Sequence, residues 1–231
     1  MRHNGFRMSV IPILQAPTVA IAQSQERFPV RRIFCVGQNY ADHAREMGSD
    51  PARQPPFFFA KPADAVVESG RRLPFPSKTA DLHHEVELVV ALGAGGMDVK
   101  PADAPSLIFG YAVGIDLTRR DMQADAKKTG RPWDMAKGFD RSAPMGALRR
   151  GVPPAQGAIG LTIDGRVRQS GDLRDMIWSV ADIIGFLSSY VAVAAGDLIF
   201  TGTPAGVGPI RREEEVCGTL AGVEPVVVTF E

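Results

Sequence analysis

Short apolar segments typical of β-strands recur along the chain from Arg31 to the C-terminus, and they do not alternate regularly with helices. The predicted strands span residues 33–36, 82–92, 108–115, 159–163, 197–201 and 226–230, with an extended buried run at 54–60. Helices are predicted at 39–47 (ending at Gly48), 118–129 (ending at Gly130) and 176–190. Asp164-Gly165 predicts a hairpin turn. The pattern indicates a strand-rich α+β fold, and no internal repeat is present.

The first 28 residues differ from the rest of the chain and predict an irregular N-terminal arm, followed by one domain over 29–231. Arg2 and Arg7 precede a mildly apolar stretch, which has some features of a secretory signal. Pro12 and Pro17 interrupt that stretch, which argues against a signal, and Met8 is an alternative start. The sequence has no run of the roughly 20 apolar residues that a membrane span needs.

The overall charge excludes one broad class of partner. Lys plus Arg total 26 and Asp plus Glu total 26, so the formal net charge is zero. A sequence-independent nucleic-acid binder needs a basic surplus, so no nucleic-acid partner is expected. Two cysteines, Cys35 and Cys217, do not make a disulfide framework, which favours a cytoplasmic protein.

Three acidic residues lie where strands are predicted. Glu85 and Glu87 alternate with apolar residues on one strand and therefore project from the same face, while Asp116 follows the apolar strand that ends at Ile115. Three such carboxylates would suit Mg²⁺ or Mn²⁺. Taken alone, however, the pattern favours a solvated strand face, with Asp116 capping the next helix. His83 could be a further ligand, although a satisfied or exposed histidine is the more common case.

Two other segments carry groups that could do chemistry. On a helix, His43 and Glu46 are neighbours at i, i+3, and a carboxylate beside an imidazole orients it as a base. An exposed helical ion pair is the commoner meaning of such a spacing. The glycine-rich segment from Thr201 to Gly208 exposes backbone N–H groups suited to a carboxylate, yet such loops are more often simple connections.

Taken together, the motifs are far more specific than any one of them, because they occur in a fixed order. They resemble the fumarylacetoacetate hydrolase family from about Arg31 to the C-terminus. The matching segments are Gly37-x-Asn39-Tyr40-Ala41-x-His43, His84-Glu85-x-Glu87-Leu88, Asp116-x-Thr118-x-Arg120-Asp121-x-Gln123, Ala136-Lys137-x-Phe139 and Thr201-Gly202-Thr203-Pro204-x-Gly206-Val207-Gly208. The segments 57–64 and 130–140 look most like those of the bacterial fumarylpyruvate hydrolases of gentisate breakdown.

The resemblance implies a mixed β-roll or β-sandwich fold, a homodimer, and one Mg²⁺ or Mn²⁺ per chain bound by Glu85, Glu87 and Asp116. It also implies hydrolysis of the C–C bond of a 3-acylpyruvate, a 2,4-dioxo acid, with fumarylpyruvate as the leading substrate. Decarboxylation or tautomerisation of oxaloacetate is the alternative, since it uses the same enolate chemistry. The roles that follow are a base pair of His43 and Glu46, oxyanion stabilisation by Lys137 and Gln123, and substrate binding by Arg120, Thr203, Gly202 and, more weakly, Lys61.

One residue departs from the family pattern. At Gln38, beside the Asn39-Tyr40 pair, many relatives carry arginine. The resemblance therefore implies the site residues more firmly than the substrate.

Overall fold

The computed structural model describes residues 10–12, 15–46 and 55–231. The strands of this part are β1 (Thr18–Ala20), β2 (Arg27–Pro29), β3 (Arg32–Gly37), β4 (Phe57–Lys61), β5 (Val66–Glu68), β6 (Arg71–Leu73), β7 (Leu82–His84), β8 (Val86–Leu92), β9 (Ile108–Ile115), β10 (Thr118–Arg119), β11 (Ala143–Met145), β12 (Arg149–Arg150), β13 (Ala158–Ile163), β14 (Arg166–Asp172), β15 (Asp197–Phe200), β16 (Gly208–Pro209), β17 (Glu215–Leu220) and β18 (Val226–Phe230). The α-helices are α1 (Ala41–Glu46), α2 (Arg120–Thr129), α3 (Asp134–Lys137) and α4 (Val180–Tyr190). The predicted strand-rich α+β class is confirmed.

The largest sheet has eight strands, in the order β4-β3-β15-β8-β9-β11-β5 with β12 paired to β9. All seven residues of β8 are buried, because both faces of this sheet are covered. Leu88, Val90 and Leu92 pack into one apolar core, which also contains residues of a five-stranded sheet with the order β14-β13-β17-β18-β6. Val89 and Ala91 face the other way into a second core. This two-sided burial explains the unbroken apolar run in the sequence.

The described part of the predicted N-terminal arm is not irregular, and that prediction was wrong. β1 and β2 pair antiparallel, and Val19, Ile21 and Phe28 are buried in the second core. The prediction failed because strands of three residues are too short to show a period, so tertiary packing decides their conformation.

Most predicted elements are confirmed with shifted bounds. The helix predicted at 118–129 begins at Arg120, because Thr118 and Arg119 pair with β7. It ends as predicted, with Gly130 in the left-handed conformation at φ 65°. The predicted end of α1 at Gly48 lies outside the described residues. The Asp164-Gly165 turn is confirmed by positive φ at both residues and by the pairing of β13 with β14.

Asp197, the first residue of β15, is held by two arginines. Arg32 donates from Nε and Nη2 to the two carboxylate oxygens at 3.0 and 2.7 Å, and Arg31 donates from Nη1 at 3.1 Å. The buried carboxylate therefore fixes the start of β15 beside β3, with which it pairs in parallel.

Within the described ranges, no helix has the length and apolar character that crossing a membrane requires.

Cys35 is buried, as expected of a small apolar side chain, and both Cys35 and Cys217 are free thiols. Burial raises the pKa of the Cys35 thiol well above its usual value, so Cys35 is inert as a nucleophile.

Candidate metal and catalytic site

The three acidic residues meet at one end of the β8–β9 pair. Val86 pairs with Ile115 in the antiparallel register, so Glu85 and Asp116 are the next residues across the two strands, and the Asp116 N–H donates to the Glu85 carbonyl at 2.8 Å. The predicted strand 82–92 is interrupted at Glu85, which separates β7 from β8. Oxygen atoms of Glu85, Glu87 and Asp116 all lie within 4.8 Å of one another.

This acidic triad, Glu85, Glu87 and Asp116, is buried and fits a divalent cation. The interpretation of the glutamates as part of a solvated strand face is wrong, because all three carboxylates are buried. The interpretation of Asp116 as a helix cap is also wrong, because Arg119 directly precedes α2. Burial and the charges of Asp116 and Glu85 raise the pKa of Glu87 well above its usual value. Oδ1 of Asp116 is buried and faces the Lys61 ammonium at 2.8 Å. A buried set of three hard oxygen donors is suited to Mg²⁺ or Mn²⁺.

Cationic side chains surround the acidic triad. The Lys137 ammonium lies 2.8 Å from both Glu85 Oε2 and Asp116 Oδ2, and Arg120 donates to Glu85 Oε1. Burial alone would raise the pKa of Glu85, but the charges of Lys137 and Arg120 outweigh it and lower that pKa strongly. Burial would lower the pKa of Lys137, and Asp116 and Glu85 reverse this and raise it. Lys137 is therefore charged in this site.

Lys61 lies behind the acidic triad and does not line the pocket described below. Its buried ammonium lies 2.8 Å from Asp116 Oδ1 and donates to the carbonyls of Leu117 and Lys137. Lys61 is the last residue of β4, and its side chain is fully enclosed, so it is not a surface lysine. The place of Lys61 makes it a support for Asp116, and its predicted contact with substrate gains no support from the structure.

His43 and Glu46 form the pair that the helical spacing predicts. His43 Nδ1 lies 3.2 Å from Glu46 Oε2, and the imidazole is buried in the pocket wall while Glu46 is partly exposed. Asn39 holds the start of α1 in place by donating to the Thr201 and Trp178 carbonyls and accepting from the Trp178 N–H. These hydrogen bonds connect the start of α1, which carries His43, to the loop that follows β15. Because the imidazole is buried, the interpretation of His43 and Glu46 as an exposed surface pair is wrong.

The glycine-rich segment from Thr201 to Gly208 makes a direct hydrogen bond to the acidic triad. The Gly202 N–H donates to Glu87 Oε2 at 2.8 Å, so this backbone group binds the protein's own carboxylate. Gly202 has φ 97°, and a Cβ there would lie 2.7 Å from the Asn39 Cβ, which explains why glycine is needed. The structure therefore shows Gly202 as a backbone partner of Glu87, and its contact with substrate stays a prediction.

The remaining predicted residues come together around one pocket. The wall of this pocket contains His43 together with residues from four other parts of the chain: Glu85, Glu87, Arg120, Gln123, Lys137 and Thr203. Arg120 also donates from Nη1 to Gln123 Oε1 and from Nε to His83 Nδ1. Gln123 therefore directs its NH₂ group away from Arg120. His83 bonds Asp81 and Arg120 and lies outside the acidic triad, so it is a satisfied histidine.

Gln169, on β14, is a site residue that the sequence analysis missed. Its Oε1 accepts from the Val86 N–H at 3.1 Å, and since a backbone amide can only donate, this contact fixes the orientation of the amide. Nε2 then donates to Thr203 Oγ1 and the Pro204 carbonyl, both at 2.8 Å, and His84 Nδ1 donates to Oε1. Thr203 thus keeps its own hydroxyl proton for a group in the pocket. A polar residue buried in an otherwise exposed strand gives no local signal.

Replacing Gln169 with leucine should lower the free energy of unfolding by about 3 kcal/mol, because several buried polar groups would lose their partners. Urea unfolding of the metal-free protein measures this. Ser170→Ala, at an exposed neighbour on β14, is the control and should stay within about 0.5 kcal/mol of the parent protein. A loss below about 1 kcal/mol for Gln169→Leu would contradict the assigned network.

The family described as Fumarylacetoacetate (FAA) hydrolase C-terminal matches residues 32–226. The crystal structure of fumarylpyruvate hydrolase from Pseudomonas aeruginosa in complex with Mn²⁺ and pyruvate is similar with a TM-score of 0.94 and 46% identity, covering 96% of this chain and 99% of that one.

Two groups of relatives are about equally similar in sequence. A fumarylpyruvate hydrolase from Ralstonia is 39% identical over 182 residues, which is 78% of this chain and 95% of the relative. An oxaloacetate tautomerase from Escherichia coli is 38% identical over 199 residues, which is 84% of this chain and 90% of the relative. The match of nearly the whole chain, with the predicted residues gathered in one pocket, shows that this protein belongs to the fumarylacetoacetate hydrolase family.

Proposed function

We propose that this protein hydrolyses the C3–C4 bond of a 3-acylpyruvate, with fumarylpyruvate converted to fumarate and pyruvate as the leading reaction. The observation that carries the proposal is the buried His43, paired with Glu46, in the same pocket as Glu85 and Glu87 of the acidic triad. A base next to a cation site is what addition of water to an activated carbonyl requires. The similarity to a fumarylpyruvate hydrolase crystallised with Mn²⁺ and pyruvate supports the same reaction.

The proposed reaction assigns a task to each group of the pocket. A divalent cation bound by the acidic triad would supply Lewis-acid stabilisation of the negative charge that develops on the 2-oxo acid. His43 would accept a proton from water through Nε2, with Nδ1 held by Glu46, so that the water oxygen adds to C4. The C3–C4 bond then breaks, the C4 acyl group leaves as the carboxylic acid, and C3 takes up a proton to give pyruvate.

We assign two donors to the oxyanion at C4. Gln123 has its NH₂ group unused by Arg120, and Lys137 provides a charged ammonium. Thr203, whose hydroxyl proton is freed by Gln169, is a donor for a substrate carboxylate. We assign Arg120 the same role, although in this structure its guanidinium binds Glu85 and Gln123.

The second candidate is tautomerisation or decarboxylation of oxaloacetate. It is favoured by the oxaloacetate tautomerases among the relatives, whose 38% to 41% identity equals that of the hydrolase. In that reaction His43 would move a proton at C3 and no water would be consumed. We also expect a homodimer with one Mg²⁺ or Mn²⁺ per chain, located in the cytosol.

A side-by-side assay tests the proposal. With Mg²⁺ or Mn²⁺, fumarylpyruvate should give equal amounts of fumarate and pyruvate, and EDTA should stop the reaction. Oxaloacetate is supplied in parallel, with CO₂ and the enol-to-keto absorbance change recorded separately. Turnover of oxaloacetate without cleavage of any acylpyruvate would reject hydrolysis and leave the second candidate.

A further inference from the structure

Helix α2 presents three polar residues to the pocket along one face. Arg120, Gln123 and Lys127 follow one another at i, i+3 and i+7, and all three line the pocket. At 1.5 Å per residue, Lys127 lies about 10 Å further along the helix axis than Arg120. The helix therefore extends from the acidic triad, which Arg120 contacts, toward the far end of the pocket.

Lys127 differs from the other cations that line this pocket. Arg120 is paired with Glu85, and Lys137 is paired with Glu85 and Asp116. The Lys127 ammonium makes no ion pair or hydrogen bond with any residue in the described ranges, and it lies 5.3 Å from the ring centroid of Trp133. Burial and the positive charges of Arg120 and Lys137 lower its pKa, against the opposing effect of Glu85. An anion placed beside this ammonium would be stabilised.

The pocket wall near Lys127 is aromatic. Trp133 packs edge-on against Phe57, with ring centroids 5.4 Å apart. It also packs against Phe59, with ring centroids 5.9 Å apart, and all three rings line the pocket. Such a wall suits a flat, conjugated carbon chain. The acyl arm of an unsaturated acylpyruvate is of this kind, and in fumarylpyruvate it ends in a carboxylate.

We propose that Lys127 binds the terminal carboxylate of the acyl arm and so selects acylpyruvates that carry a second carboxylate. The inference rests on the proposed function and names its substrate class. The 2-oxo acid end faces the acidic triad, the arm lies along Phe57, Phe59 and Trp133, and the remote carboxylate meets the ammonium at the exposed end of the pocket. An acylpyruvate without that carboxylate, such as acetylpyruvate, gains nothing from Lys127.

The selectivity of Lys127→Met tests the proposal. The ratio of kcat/KM for fumarylpyruvate to that for acetylpyruvate should fall about tenfold, mostly through KM, because a charge-assisted contact at a half-exposed site is lost. Lys128→Met is the matched control, since Lys128 carries the same charge one residue further on but does not line the pocket. A ratio that stays constant in Lys127→Met, or falls equally in Lys128→Met, would overturn the assignment.

A binding experiment separates this inference from the hydrolase proposal. The probes are 2-oxoheptanedioate and 2-oxoheptanoate, which share the chain length of fumarylpyruvate but lack the 4-oxo group and cannot be cleaved in this way. Calorimetry with the Mn²⁺-loaded protein should show about tenfold tighter binding of the diacid, and Lys127→Met should abolish that preference. If neither acylpyruvate is hydrolysed but the preference is present, the hydrolase proposal fails and the Lys127 subsite stands. Equal affinities in the parent protein would reject the subsite.

Discussion

Replacing His43 with alanine is expected to lower kcat for fumarylpyruvate by about 10²- to 10⁴-fold, the range that a positioned general base contributes. The imidazole is buried in the pocket wall and Glu46 holds its Nδ1, which leaves Nε2 as the base for water. Affinity for Mn²⁺ should change little, because His43 is outside the acidic triad. Steady-state kinetics and metal titration of the same preparation measure both quantities.

Two further variants show whether His43 acts as proposed. Glu46→Gln keeps an oxygen to accept from Nδ1 but removes the negative charge, and a smaller loss is expected. Asp42→Asn is the control on the same helix, since its side chain is 81% exposed and binds only Arg45 among the described residues, and activity should be retained. Retention of more than a tenth of the activity by His43→Ala would remove the histidine from the mechanism.

Replacing Glu87 with glutamine should remove tight metal binding and lower kcat/KM by about 10³-fold or more, because a Lewis acid supplies several kcal/mol to such a reaction. Glutamine is nearly the same size and can still accept from the Gly202 N–H, so the fold is kept. In the parent protein, Mn²⁺ at 100 times its Kd should raise Tm by about 5 to 10 °C. In the variant this rise should be absent.

The exposed Glu224 offers a matched control for the loss of one negative charge. Glu224→Gln should keep both the activity and the Mn²⁺-dependent rise in Tm. A full metal-dependent rise in Glu87→Gln would show that Glu85 and Asp116 suffice, and that Glu87 is not a ligand.

The sequence predicted the site better than it predicted the supports of the site. Alternation on a strand placed Glu85 and Glu87 on one face, and helical spacing placed His43 beside Glu46, because these are local geometries. These local patterns could not show whether the side chains are solvated or buried. The order of the motifs along the chain answered that question, through the resemblance to the family.

Contacts between distant segments could not be predicted from local patterns. Lys61 reaches Asp116, Gly202 reaches Glu87 and Gln169 reaches Thr203 only after the sheets have assembled. Each of these residues has an ordinary local context, so periodicity carries no sign of the partner. The N-terminal hairpin was missed for the same reason, since Phe28 is apolar but isolated in the sequence.

The position of β15 has a consequence for how the chain is synthesised. It lies between β3 and β8, although its residues are made more than a hundred residues after theirs. Until residue 200 leaves the ribosome, β3 and β8 each have a strand edge without its partner, and such edges promote pairing with other chains. The late strand also leads directly into the Gly202 N–H that binds Glu87. All three carboxylates of the acidic triad are therefore synthesised before the segment that orients one of them, and a truncated chain ending before Asp197 is expected to aggregate.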